Sequence, residues 1–204
     1  MKEKLVYIRA KSVQVPPLQQ RFVRVLFVFM LGALLGFLAK YTDGSVVGLI
    51  GTYLGFWVVV TTIIAVRSRS PKAAALHAFV FLFAMLIVYY LYSLLLFGFF
   101  PKDYFIAWVG ISLLSPVFGY AVWYAKGNGW RAAFCAALPI SLLLVEGYSF
   151  FYTLSIPGGL DIILTVLLFI ILPVNHFQRL RMLPIVTVLF FLMERFGLLY
   201  YLPG

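Results

Sequence analysis

Seven long apolar runs dominate the chain, at residues 22–41, 45–66, 73–99, 104–125, 131–152, 158–178 and 182–201, with short connectors between them. A run of about 20 apolar residues wound as a helix crosses the hydrocarbon of a bilayer. The pattern therefore predicts an all-α, polytopic membrane protein, a single bundle of seven transmembrane helices. The connectors carry chain-breaking residues: Asp43-Gly44, Ser70-Pro71, Pro101, Gly127-Asn128-Gly129 and Pro157-Gly158-Gly159. Connectors this short make successive helices antiparallel neighbours and leave no room for a separate soluble domain. The sixth run is the least typical, since only 13 residues, Ile162 to Val174, separate its flanking polar groups. Either Asp161 and His176 lie near opposite interfaces or this segment is re-entrant.

Residues 1–21 read differently, as a basic arm ahead of the transmembrane domain at 22–204. The arm holds Lys2, Lys4, Arg9, Lys11 and Arg21 against Glu3, and Pro16-Pro17 separates it from the first span. Its expected place is the surface of an anionic leaflet, and deleting residues 2–15 is expected to leave the bundle folded. Basic residues also orient the spans. Thirteen Lys and Arg fall on the side of the arm and the even connectors; two, Lys40 and Lys102, fall on the other. That bias places the N-terminus in the cytoplasm and, with seven spans, the C-terminus outside, in a multi-pass protein of the cell inner membrane.

Composition agrees with lipid as the solvent: 64% of residues are hydrophobic and 11% charged, with a mean hydropathy of +1.06. The net charge of +10 resides in the arm and connectors, which argues against nucleic acid as a partner. A single cysteine, Cys135, excludes an intramolecular disulfide. No HExxH, GxSxG, Walker or dinucleotide glycine motif occurs, so no metal, cofactor or catalytic residue is expected.

Charges inside spans are costly and mark candidate function. Glu146, Glu194 and Arg195 are the candidates. At 1.5 Å per residue, Glu146 stands about 22 Å up the fifth segment and Arg195 about 20 Å up the seventh, so the two are expected to pair. Tyr89 and Tyr90 lie in the same outer half, and with the three charged residues they form the expected ligand set. Small residues at Gly32/Gly36, Gly51/Gly55 and Ala133/Ala137 have the spacing that lets helices approach closely, and Ser115-Pro116 predicts a kink in the fourth span. The expectation is a protein that binds or moves a small or lipidic solute through an outward-facing polar pocket, without catalysis. Its partners would be membrane lipid, that ligand and conceivably another membrane subunit. The alternatives are an accessory subunit of a membrane complex and an intramembrane enzyme acting on lipid or peptide.

Overall fold

The structure, a computed structural model, describes residues 8, 9, 17–45, 48, 50, 51 and 53–197, and among them every regular element is helical. The longer helices are α1 Leu18–Tyr41, α2 Leu54–Arg67, α3 Pro71–Phe97, α4 Lys102–Trp123, α5 Gly129–Gly147, α6 Ile156–Ile171 and α7 His176–Arg195. A 3-10 turn, Tyr124–Lys126, extends α4, and one helical turn, Phe150–Thr153, links α5 to α6. Several ends are set locally. The Ser70 and Asn175 side chains accept the first free amides of α3 and α7, from Ala73 and Gln178, and Pro71 fits the first turn of α3. Gly98 closes α3 at φ +71°, a conformation that only glycine adopts cheaply.

Five helical segments are long and apolar enough to cross a membrane: Leu18–Tyr41, Pro71–Phe97, Lys102–Lys126, Gly129–Thr153 and His176–Arg195. Their length and composition identify a multi-pass membrane protein. The remaining two helices are shorter. With 14 and 16 residues, α2 and α6 rise about 21 and 24 Å, against about 30 Å of hydrocarbon. One continuous helix over 45–66 is not what forms. Tyr53 has extended backbone (φ −93°, ψ 143°), and α2 begins only at Leu54.

The helices pack around α2. On one side, α3 lies along α1 and α4, and Trp57, Phe81, Leu82 and Met85 form an aromatic-rich core there. On the other, α5 packs on α7 and α6, and its alanines 132, 133, 136 and 137 are fully buried, which brings the neighbouring backbones close. Trp108 and Ile111 of α4 touch both cores. The Gly32/Gly36 spacing is used inside the bundle: a Cβ on Gly36 would sit 2.4 Å from the Met85 carbonyl oxygen, and one on Gly32 would sit 2.3 Å from that of Phe81. Within α4, Pro116 cannot donate to the Ser112 carbonyl, and the Ser115 hydroxyl donates to it instead at 2.7 Å.

The end of the bundle that carries the basic connectors is tied together through helix C-termini. Arg9 donates to the carbonyls of Trp123 (2.6 Å) and Val66 (3.0 Å), closing α4 and α2 at once, and stacks on the Trp123 ring at 4.2 Å. Burial lowers the pKa of this guanidinium from its ordinary value. Ile8 is buried, and its carbonyl accepts from the Asn128 amide. The Trp123 indole donates to the Ser68 carbonyl, Lys126 to Ile171 and Arg179 to Ile170, and buried Gln178 reaches the Ala125 carbonyl. The freely detachable arm expected from sequence is corrected at Ile8 and Arg9, which are part of the packed end; residues 1–7 and 10–16 lie outside the described residues.

Two stability measurements test this packing. Gly36→Leu should lower the thermal midpoint in detergent by the cost of overpacking, about 1–3 kcal/mol, while Gly110→Ala, where an added methyl meets nothing within 4 Å, should leave it unchanged. Arg9→Ala should cost about 1.5–3 kcal/mol, as expected for hydrogen bonds made by a charged group. A midpoint equal to the parent's would show that Arg9 does not bind the helix ends.

Candidate functional site

The break before α2 organises two polar features, one on each side. Unwinding at Tyr53 frees backbone groups that a continuous helix would satisfy, and in a membrane interior other protein groups must take them up. The Trp57 indole donates to the Gly51 carbonyl at 3.0 Å, bridging the break from the α2 side. Tyr53, the residue at the α2 N-cap, gives no side-chain hydrogen bond. The Glu146 carboxyl of α5 instead lies beside the backbone N–H groups of Leu54 and Gly55, the first two of α2. A carboxylate there also meets the positive end of the helix dipole.

Beside Glu146 stands a second carboxyl, Asp161 of α6, 2% exposed and near enough for the two charges to interact. Glycines make the convergence possible. A Cβ on Gly55 would fall 1.9 Å from Asp161 Oδ1, and one on Gly147 would fall 3.1 Å from the Asp161 Cβ and 3.0 Å from the Gly158 carbonyl oxygen. Helices α2, α5 and α6 thus meet with almost no side chain between them, and the carboxyls fill the junction. Glu146 Oε2 is buried without a hydrogen-bond partner among the described residues.

On the other face of the break is a cavity of about 300 Å³ between α1, α2, α3 and α4. Its polar lining comes from Lys40, Tyr53, Tyr89, Tyr90, Ser93 and Tyr104. Trp57 and Trp108 form part of its wall. Lys40 is held there by Asp43 at 2.6 Å and lies over the rings of Phe97 (4.9 Å) and Tyr89 (5.4 Å). The Tyr90 ring is fixed edge-on between Phe100 and Phe105. Tyrosine and serine hydroxyls, which can each donate and accept, line this cavity together with one ammonium that is paired with Asp43.

Of the five residues expected to form one site, the structure brings Tyr89 and Tyr90 into the cavity and places Glu146 across the break from them. Glu194 and Arg195 sit at the exposed end of α7. The expected Glu146–Arg195 pair is corrected. Among the described residues the ion pair formed is Lys40–Asp43, and Glu146 turns toward α2 and α6. Equal depth on two helices sets height and not direction, so residues at one level can face apart. Asp161, read from sequence as an interfacial boundary, and Lys40, read as an orienting charge, are the site residues that reasoning missed. The Gly51/Gly55 pair was the available signal, because a glycine pair beside an acidic residue on a short span also marks close backbone approach.

Among the described residues no group of three His, Cys, Asp or Glu side chains could hold a metal ion. A family model described as "Family of unknown function (DUF6518)" matches residues 15–203. No curated protein and no solved structure matches the chain.

Gly55→Ala tests the junction. The added methyl must displace Asp161, so a loss of about 1–3 kcal/mol is expected. Asp161→Ala in the same background removes the obstructing group, and the two substitutions should be non-additive, with the double variant more stable than the summed losses predict. Strict additivity would show that Asp161 does not press on Gly55.

Proposed function

The chain belongs to the DUF6518 family, and we propose that as a member of it the protein is a seven-span carrier or receptor for a small amphipathic solute. In this reading it lies in the inner membrane with its N-terminus in the cytoplasm and its C-terminus outside. The observation that carries the reading is the donor-lined cavity of about 300 Å³, a volume usual for small-molecule sites, built against a broken helix. Lys40 at the end of α1, the break before α2, Tyr89 to Ser93 near the end of α3 and Tyr104 near the start of α4 all lie on the side away from the basic connectors. The thirteen-to-two charge bias makes that side the outer one. In this reading helices α2 and α6, with the segments that flank them, complete the count of seven.

Movement of the solute has a structural basis in the break. Discontinuous helices place binding groups at their free ends near the membrane interior. Here Tyr53 and Trp57 touch the cavity on one face, while Leu54 and Gly55 meet Glu146 on the other. A solute that shifts the break therefore also shifts the contact with the carboxyl pair. The roles follow: Tyr89, Tyr90 and Lys40 bind the solute, Glu146 and Asp161 hold the α2 terminus, and no residue performs catalysis.

Two experiments test this. A reporter active only in the cytoplasm should be silent when fused after Gly204 and active when fused before Met1; signal from the C-terminal fusion would contradict seven spans. For the cavity, the probe is dodecyl phosphate, titrated against protein in phosphatidylcholine nanodiscs. Lys40→Met and Tyr90→Phe should each weaken binding by about 1.5–3 kcal/mol if a charged or charge-paired hydrogen bond is lost. Glu194→Gln, outside the cavity, should not. Equal affinity in all three variants would overturn the assignment.

A further inference from the structure

A second cavity lies next to the first. It measures about 200 Å³, lies between α2, α3, α4 and α5, and shares Trp57 and Trp108 with the donor-lined cavity. Its lining is almost wholly apolar, with Val58, Leu82, Ile111 and Leu142 among the contributors. At one edge stands Leu114, which is 69% exposed and so faces the bilayer in a membrane-embedded bundle. The two cavities therefore differ sharply in chemistry across a pair of indoles. One is lined by hydroxyls and an ammonium that can donate hydrogen bonds, and the other accepts hydrocarbon.

Two hydroxyls line the apolar cavity. Ser115 has donated its hydrogen to the Ser112 carbonyl that Pro116 leaves free. Thr61 is 2% exposed, and its Oγ1 has no hydrogen-bond partner among the described residues. A buried hydroxyl without a partner is costly, and a helical threonine ordinarily relieves that by donating to the preceding turn. Thr61 lies one turn beyond Trp57, so its hydroxyl meets the cavity about 6 Å deeper along α2.

We propose that the solute is a single-chain acyl lipid with an acceptor-rich phosphate or carboxylate headgroup, held head-first in the donor-lined cavity with its chain between Trp57 and Trp108 in the apolar one. This rests on the preceding reading of the donor-lined cavity and names its substrate class. The headgroup receives hydrogen bonds from the tyrosines, Ser93 and Lys40. An ester oxygen at the head of the chain receives the one that Thr61 has free. The apolar cavity alone is smaller than a usual ligand site, which suits one chain and excludes two. Entry past Leu114 is sideways from the leaflet, so the chain need not pass through water.

The experiment uses the full chain in phosphatidylcholine nanodiscs and lauroyl lysophosphatidate brominated at the end of its chain, a contact quencher of indole fluorescence. Saturable quenching is expected, with most of it lost in the Trp57→Phe, Trp108→Phe double variant. Equal quenching there would overturn the proposal, because Trp123 and Trp130 would be reporting general lipid contact. Brominated dodecanoate, offered in a second arm, distinguishes a carboxylate headgroup from a phosphate; failure of both to saturate would overturn the proposal. Ser115→Phe fills the apolar cavity, and Leu114→Trp obstructs its edge from a lipid-facing position where folding is not at stake. Each should weaken lauroyl lysophosphatidate binding by about tenfold or more, the worth of burying roughly two methylenes, and leave butyl phosphate binding unchanged. Unchanged lauroyl affinity in Leu114→Trp and Ser115→Phe, with loss in Lys40→Met, would overturn the chain placement alone. Unchanged affinity in Lys40→Met as well would remove the donor-lined cavity too.

Discussion

Unsatisfied backbone groups at the ends of helices too short to reach water are the constraint on which this structure depends. In hydrocarbon each such group costs several kcal/mol, so a short helix is tolerated only where other parts of the protein complete it. At the start of helix α2 the Glu146 carboxyl lies beside the free amides, and at its end Arg9 donates to the Val66 carbonyl. Helix α6 is completed at its start by the Ser155 hydroxyl and at its end by Lys126 and Arg179. Arg9, Lys126 and Arg179 thus act on helix C-termini at one end, and Glu146 lies beside a helix N-terminus at the other.

The same constraint ties the fold to its proposed activity. The donor-lined and apolar cavities both border the short helix α2. The segment whose termini are held by long-range contacts is the one that borders both cavities. Glycine permits this arrangement, since Gly55 and Gly147 allow α2, α5 and α6 to close around Asp161 without side chains of their own.

Much of the architecture was legible in the sequence because hydrophobic length is a strong signal. Five of the apolar runs correspond to helical segments long enough to cross a membrane, and the Gly32/Gly36 spacing corresponds to the α1–α3 contact. The break at Tyr53 was not legible, because no proline marks it and what permits it is a carboxyl more than 90 residues away in the chain. The direction in which Glu146 points was hidden for a related reason. Helical rise fixes depth from sequence, but rotation about the axis follows from which neighbours pack where. Arg9 looked like a solvated charge because its partners are backbone carbonyls, which carry no sequence signature. Asp161 and Lys40 were assigned to the interface by position, and tertiary packing drew them inward.

Amide hydrogen exchange at the start of α2 tests the central claim most directly. If Glu146 completes the broken helix, the amides of Leu54 and Gly55 should exchange slowly in the parent protein and much faster in Glu146→Leu, with Glu146→Gln intermediate because its amide oxygen still accepts. The amides of α3 should be unaffected in all three. Slow exchange at Leu54 and Gly55 in Glu146→Leu would contradict the account, because the α2 terminus would then be held by something other than the carboxyl.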